Sequence, residues 1–365
     1  MTPNPHARPV DREYLLDLTR FFAAFIVMLY HYGFRGGIHG DYLPQGSVLY
    51  PGVTKYFFVG VEMFFVLSGY IIYRTASDST IPDFIASRVS RIVPLLWICA
   101  LVTFVVVKLL PVPGFSVDAV DLVASMFLVA ETIGVTFVDG VYWTLLHEVQ
   151  FYALFTLVLL VRDRALRRFC WWAWVLAGAL LLDPESFWFQ TLYPGGAYFM
   201  YFSMGLAIAL TREHRAHGWG LFLVSAALVL ARLAGTVQAQ AARFATDMLV
   251  WPEWLLVFGV AAVLWLSVSG VARWREDGRG SRWVPAILVL GTLTYPLYLL
   301  HQMVGYALLL RLRRVMDYPS SMVLAGATIV TISYVLAIHV DPVLRARCRR
   351  WVRRLFPPVR LREGV

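Results

Sequence analysis

Charged residues are scarce in this chain, and their scarcity excludes an ordinary soluble domain. Asp, Glu, Lys and Arg make up 15% of the 365 residues, against about 25% in soluble globular domains. Cysteine is scarce as well. Cys99, Cys170 and Cys348 are odd in number and widely spaced, which excludes a disulfide framework or a cysteine metal cluster. No small-residue cleavage pattern follows the first apolar run, so we do not expect a cleaved signal peptide there.

Apolar residues, in contrast, are abundant. They make up 59% of the chain and gather in runs of about 17–25 residues, the length that crosses a bilayer. The sequence therefore predicts an all-α fold, a polytopic membrane helix bundle of about ten transmembrane helices. The predicted spans are residues 14–33, 55–73, 92–109, 142–161, 169–182, 193–210, 219–233, 248–270, 284–310 and 318–340.

Segment 120–133 is apolar but short, and it contains Asp121 and Glu131. Acidic residues in a short run predict a re-entrant or interfacial helix rather than an eleventh span.

The basic residues predict the orientation of the bundle. With a cytoplasmic N-terminus, 23 of the 32 Lys and Arg residues fall on the cytoplasmic side and 8 on the opposite side, as the positive-inside rule requires. We expect a multi-pass protein of the inner (plasma) membrane with both termini in the cytoplasm. The net charge of +9 then reflects orienting charges, and we expect no nucleic-acid partner.

Two regions are predicted along the chain. Residues 1–344 form the transmembrane domain, and residues 345–365 form a basic amphipathic cytoplasmic tail. Within 344–356 apolar residues recur at helical spacing between arginines. This pattern predicts an amphipathic helix that lies on an anionic membrane surface.

Arg20 and His31 are ionisable residues within the first predicted span. At membrane depth such residues are costly unless they are paired or face a cavity, so they mark function. Their separation of eleven residues is about three helical turns, which places them on one side of the helix about 16 Å apart along its axis. The spacing indicates a polar stripe that lines a cavity.

Further polar residues stand near or within the later spans. Glu148 lies in WTLLHEVQFY and His301 ends LTYPLYLLH, while Arg88 and Arg91 stand three residues apart at the entrance to the third predicted span. The pattern predicts a basic mouth on the cytoplasmic side and a polar track that rises to His31 and Glu148.

Five motifs occur in order along most of the chain. They are Arg-x10-His (Arg20 to His31), FFVLSGY (64–70), RVSRIVP (88–94), WTLLHEVQFY (143–152) and YPLYLLH (295–301). Together they resemble the motifs of acyltransferase family 3, membrane-bound enzymes that move acyl groups from acyl-CoA to sugars and other hydroxylated acceptors. Thr144 stands where a serine is common, a change that keeps the hydroxyl group.

The resemblance implies a membrane-bound O-acyltransferase. Its donor would be cytoplasmic acyl-CoA, the acyl group is expected to be acetyl, and the acceptor would be a hydroxyl of a carbohydrate, glycan or glycolipid. Acyl-CoA enters as a co-substrate, and we expect neither a permanently bound cofactor nor a metal.

Residue chemistry assigns roles within that reaction. His31 is predicted to be catalytic, because transfer to a hydroxyl needs a base and histidine titrates near pH 6.5. Glu148, at matching depth, is predicted to be the carboxylate that orients His31. Guanidinium groups bind phosphates bidentately, so Arg88 and Arg91 are predicted to hold the CoA nucleotide. Arg20 is predicted to hold the pantetheine arm of CoA in position. The predicted supporting residues are Asp17, Tyr152, Tyr298 and His301.

Structural alternatives stand beside these roles. Arg20 has Asp17 three residues earlier as a possible ion-pair partner, His301 fits an interhelical hydrogen bond, and Glu148 fits a structural ion pair. Two other functions also remain open: a polytopic secondary transporter of a small polar or anionic solute, and a non-catalytic relative that binds acyl donors. The chain lacks the repeated halves that are typical of transporters.

Overall fold

The structure is a computed structural model that describes residues 14–76, 79–181, 186–269 and 283–356. Within these ranges the chain forms helices joined by turns and contains no β-strand, which confirms the all-α prediction. Three basic segments that we predicted to be cytoplasmic lie outside the described residues: 1–13, 270–282 and 357–365.

The α-helices are numbered in chain order. The first eight are α1 (Tyr14–Tyr30), α2 (Pro51–Thr54), α3 (Gly60–Ala76), α4 (Ile81–Leu109), α5 (Ala119–Met126), α6 (Trp143–Leu159), α7 (Arg164–Leu180) and α8 (Phe187–Leu192). The remaining described helices are α9 (Phe199–Leu210), α10 (Arg215–Phe244), α11 (Trp251–Ser269), α12 (Val284–Leu300), α13 (Met303–Leu312), α14 (Tyr318–Val335) and α15 (Asp341–Leu355). Five-residue π-helical turns follow α1 (His31–Arg35) and α14 (Leu336–Val340).

Five described helical stretches are long and apolar enough to cross a membrane, and the bent pair α12–α13 makes a sixth. The five are Tyr14–Arg35, Pro51–Ala76, Ile81–Leu109, Arg215–Phe244 and Tyr318–Leu355. The chain is therefore a membrane protein, but the predicted count of ten spans is not confirmed. Two predicted spans, 193–210 and 248–270, contain shorter apolar stretches, Gly196–Leu210 and Trp251–Leu266. These rise at most about 24 Å against a hydrocarbon core of about 30 Å.

The span predicted for residues 284–310 is broken in two. Helix α12 ends at Leu300, helix α13 begins at Met303, and the two are bent by 77°. The backbone N–H of Met303 donates to the carboxylate of Asp139 at 3.1 Å, and the hydroxyl of Tyr32 donates to the carbonyl oxygen of His301 at 2.7 Å. Interrupted backbone is tolerated at membrane depth only where protein or water satisfies it. These two side chains satisfy it here.

Helices α3 and α9 approach each other closely at two glycines. A Cβ at Gly69 would collide with the carbonyl oxygen of Phe202, and a Cβ at Gly205 would collide with the carbonyl oxygen of Val66. Small residues allow helix backbones to come together in this way. The glycine of the FFVLSGY motif therefore sets the spacing of α3 and α9, and α3 carries side chains of the candidate site.

Helix α15 packs against α4. Val352 of α15 is buried, and Arg353 forms an ion pair with Asp83 near the start of α4 at 2.6 Å. The predicted helix in the basic tail is thus present and begins three residues earlier, at Asp341. Its placement on an anionic lipid surface stays a prediction.

The segment predicted to be re-entrant or interfacial contains α5, an eight-residue helix. At 1.5 Å per residue it rises about 12 Å, too little to cross a bilayer. Asp118 and Asp121 cap its N-terminus reciprocally.

Candidate active site

His31 is the first residue of the π-helical turn that follows α1. π-helical turns are rare in proteins, and those that occur are often found at functional sites. They change the direction of the side chains relative to an α-helix. Tyr32 and Phe34 of the turn are buried, whereas His31 is only partly buried.

Two side chains from the broken helix contact His31. Its Nδ1 forms a hydrogen bond with the hydroxyl of Tyr306 at 3.0 Å, and its ring lies 5.1 Å from the ring of His301. Among the described residues, no hydrogen bond is made to Nε2 of His31. His31 therefore has one nitrogen held in place and one nitrogen free.

His301 is fully buried at the break between α12 and α13. Its Nδ1 donates to the backbone carbonyl oxygen of Tyr298 at 2.8 Å, so Nε2 is left as an acceptor, and that atom is buried without a partner.

Asp139, which accepts from the N–H of Met303 at the break, also accepts from the N–H of Val141 at 3.3 Å. Burial raises the pKa of Asp139 to about 7, while its two N–H donors act to lower it.

His31 lines a polar cavity of about 340 Å³, which we call the His31 cavity. Its wall combines aromatic rings, amide side chains, two guanidinium groups and one carboxylate. These residues are Tyr30, His31, Arg35, Glu62, Trp143, Tyr198, Thr236, Gln240, Arg243, Tyr298 and Gln302. Arg35 is held by an ion pair with Asp41 at 2.7 Å.

Arg20 lines a second, narrower cavity of about 60 Å³, which we call the Arg20 cavity. It has room for a few water molecules or a thin chain. Arg20 from α1, Arg91 from α4 and Glu148 from α6 meet there. The other polar or aromatic residues of its wall are Phe64, Phe65, Ser68, Thr144, Thr294, Tyr295 and Tyr298.

The two cavities adjoin, because Val61 and Tyr298 line both. The hydroxyl of Tyr298 forms a hydrogen bond with Oγ1 of Thr144 at 3.0 Å. Tyr298 therefore stands at the boundary between the His31 cavity and the Arg20 cavity, and Thr144 fixes its position.

Glu148 contacts residues of the Arg20 cavity and its surroundings. It accepts a hydrogen bond from the hydroxyl of Tyr152, and Oγ of Ser68 lies 3.5 Å from it. No hydrogen bond or ion pair joins it to His31 in the described part of the chain. The structure thus brings Glu148 together with Arg20 and Arg91, and it gives His31 different neighbours.

Arg88 and Arg91 line different cavities. Arg91 lines the Arg20 cavity. Arg88 lies over the rings of Phe84 and Tyr152, each at 5.6 Å, and lines a separate, mostly apolar cavity. The remaining predicted residue, Asp17, lies against Gly291 of α12, where a Cβ would collide with its carboxylate.

Several residues of the His31 cavity were not predicted. Glu62 has a sequence signal, since it is an acid inside an apolar run two residues before FFVLSGY. Arg35, Gln240 and Arg243 have none, because loops and helix ends commonly carry such residues, and Tyr306, the partner of His31, has none either. In the part of the chain described, no three His, Cys, Asp or Glu side chains cluster as metal ligands would.

A family model described as an acyltransferase domain, that of acyltransferase family 3, matches residues 13–338, nearly the whole chain. Comparison with curated proteins and with solved structures finds no match.

Proposed function

Because this chain belongs to acyltransferase family 3, we propose that it is a membrane O-acyltransferase with acyl-CoA as donor. The acyl group is acetyl and the acceptor is a hydroxyl of a carbohydrate, glycan or glycolipid. One observation carries the proposal: a histidine with one free nitrogen lines a polar cavity that adjoins a second cavity with two guanidinium groups.

His31 is the proposed base. With Nδ1–H donating to Tyr306, the lone pair on Nε2 takes the proton from the acceptor hydroxyl as its oxygen attacks the thioester carbonyl. The new C–O bond forms, the C–S bond breaks, and the CoA thiolate receives the proton from the imidazolium. The reaction balances without a metal or a redox partner.

The Arg20 cavity is the proposed donor site. Arg20 and Arg91 line it, and guanidinium groups are suited to phosphate, which they bind through paired hydrogen bonds. The cavity adjoins the His31 cavity at Tyr298. In this proposal the thioester lies near Tyr298, and Glu148 acts on the donor side by orienting Tyr152 and balancing the charge of Arg91. Arg88 remains a proposed contact to the nucleotide.

The His31 cavity is the proposed acceptor site. Trp143 and Tyr198 offer aromatic faces, and Gln240 and Gln302 offer amide donors and acceptors. Sugars are commonly held by this combination, because C–H groups pack on rings while hydroxyls bond to amides. We also propose that the donor enters from the cytoplasm of an inner (plasma) membrane, with both termini on that side.

The transporter alternative gains one observation, the broken helix α12–α13, since broken helices also form transport sites. The break here carries His301 next to His31, which an acyltransferase site explains equally well. The family match favours the enzyme.

The test is a transfer assay with purified protein in lipid nanodiscs, [¹⁴C]acetyl-CoA and a panel of alkyl glycosides as acceptors. The proposal expects a labelled ester that mild base cleaves, with stoichiometric release of CoA thiol. Release of thiol without any acylated glycoside would contradict it, as would uptake of the glycosides without acylation by the same protein reconstituted in vesicles.

A further inference from the structure

Helix α15 lies beyond residue 338, where the family match ends, yet it packs on α4, which carries Arg91. One face of α15 is turned toward the bundle. Asp341 and Val352 on this face are buried, and Arg345 between them is partly buried. The arginines at positions 347, 349 and 350 are exposed.

Arg345 lies on the face of α15 that packs on α4, and it does not itself line the Arg20 cavity. Arg353 pairs with Asp83 near the start of α4, and α15 packs along α4. Arg345, eight residues before Arg353, therefore lies at the level of Arg91, eight residues after Asp83. Arg91 lines the Arg20 cavity. The ion pair between Nε of Arg345 and Asp341, at 2.8 Å, fixes the side chain in this place.

Arg345 with its partner Asp341 and the ionisable residues that line the Arg20 cavity comprise three guanidinium groups, those of Arg20, Arg91 and Arg345, and two carboxylates, those of Asp341 and Glu148. One positive charge of this set is left without a carboxylate. Two positive charges this close repel each other, which makes the charged forms unfavourable unless an anion lies between them. The side chain of Arg345 is 36% exposed, so a ligand can reach it. The arrangement fits a group that carries more than one negative charge, such as a phosphate.

We propose that Arg345 is a phosphate-binding residue of the donor site and that α15 is part of that site. This inference rests on the proposed function. Arg345 and Arg91 would grip the phosphates of the acyl-CoA nucleotide from two helices while the acyl arm enters the Arg20 cavity. The exposed arginines of α15 remain available to lipid headgroups, whereas Arg345 faces the protein.

The test is equilibrium binding of CoA and of dephospho-CoA to the full-length protein in nanodiscs of phosphatidylcholine alone, so that no anionic lipid competes. Arg345→Gln is expected to raise the Kd for CoA about tenfold or more, because a charge-assisted hydrogen bond has about that effect. Arg347→Gln removes the same charge two residues away on the exposed face and is expected to change Kd less than twofold. Arg345→Lys keeps the charge but not the paired hydrogen bonds, so its Kd for CoA should lie between those of Arg347→Gln and Arg345→Gln.

The outcomes separate the two proposals. If wild type binds CoA and Arg345→Gln binds it equally well, the assignment of Arg345 is wrong and the proposed function stands. If wild type binds no CoA, the proposed donor and this inference both fail. A loss that appears only in nanodiscs with phosphatidylglycerol would assign Arg345 to a lipid headgroup and overturn the inference. Melting temperatures of the variants identify any loss that comes from unfolding.

Discussion

The His31 cavity and the Arg20 cavity lie next to each other but differ in kind. The first is the larger and is lined by aromatic, amide and charged groups, with a histidine that has a free nitrogen. The second is narrow and combines two guanidinium groups with a carboxylate. The difference suits the proposed division of work, in which the His31 cavity binds and activates the acceptor and the Arg20 cavity binds the donor.

The largest expected effect is that of His31→Ala. Removing a positioned base lowers catalysis by about 10²–10⁴-fold, so kcat for acetyl transfer should fall by that factor. The cavity wall stays otherwise intact, so expression and melting temperature should be close to those of wild type. A variant that retains more than about a third of wild-type activity would show that His31 is not the base.

Arg91→Gln should act on the donor alone. A charge-assisted hydrogen bond contributes about 1.5–3 kcal/mol, so the KM for acetyl-CoA should rise about 10–150-fold. The KM for the acceptor serves as the internal control and should change little, because Arg91 does not line the His31 cavity. An equal rise in both KM values would mean that the two cavities do not divide the substrates.

Asp139→Asn tests whether the break in α12–α13 supports the His31 cavity. One of the two backbone N–H groups that donate to Asp139 would then face an amide NH₂ group. An unsatisfied buried donor costs about 1–3 kcal/mol. The melting temperature should fall, and kcat should fall with it because His301 and Gln302 move. A variant with wild-type melting temperature would show that Asp139 does not hold the break.

Tyr306→Phe should give the smallest effect. It removes the partner of Nδ1 of His31 and leaves the ring that packs there. A typical hydrogen bond contributes about 0.5–1.5 kcal/mol, so kcat should fall about 2–13-fold, with the KM for acetyl-CoA unchanged. If only the KM for acetyl-CoA changed, Tyr306 would act on the Arg20 cavity and not on the His31 cavity.

The stripe on the first span could be predicted from the sequence, because ionisable residues are rare in apolar runs. Arg20 and His31 do line cavities, but each lines its own, since eleven residues of helix separate them by about 16 Å. Depth along separate spans did not predict contacts across the bundle. Glu148 matched His31 in predicted depth, yet its hydrogen-bond partners are Tyr152 on its own helix and Ser68 on α3.

The break at His301 could not be predicted from local sequence. Pro296 lies inside α12, which continues past it to Leu300. The chain bends where Asp139 and Tyr32, from distant segments, satisfy the backbone. Tertiary contacts determine the position of the break, and such contacts cannot be read from the local sequence. The number of spans depends on the fold for a related reason, since an apolar run can also be packed inside the bundle, and the predicted count of about ten is not confirmed among the described residues.

The division between the cavities is tested most directly by binding of [¹⁴C]acetyl-CoA to His31→Ala and Arg91→Gln, measured side by side in the absence of acceptor. His31→Ala should bind acetyl-CoA within about twofold of wild type, whereas Arg91→Gln should bind it at least tenfold more weakly. Equal loss of binding in both variants, or normal binding by Arg91→Gln, would contradict the assignment of donor and acceptor to separate cavities.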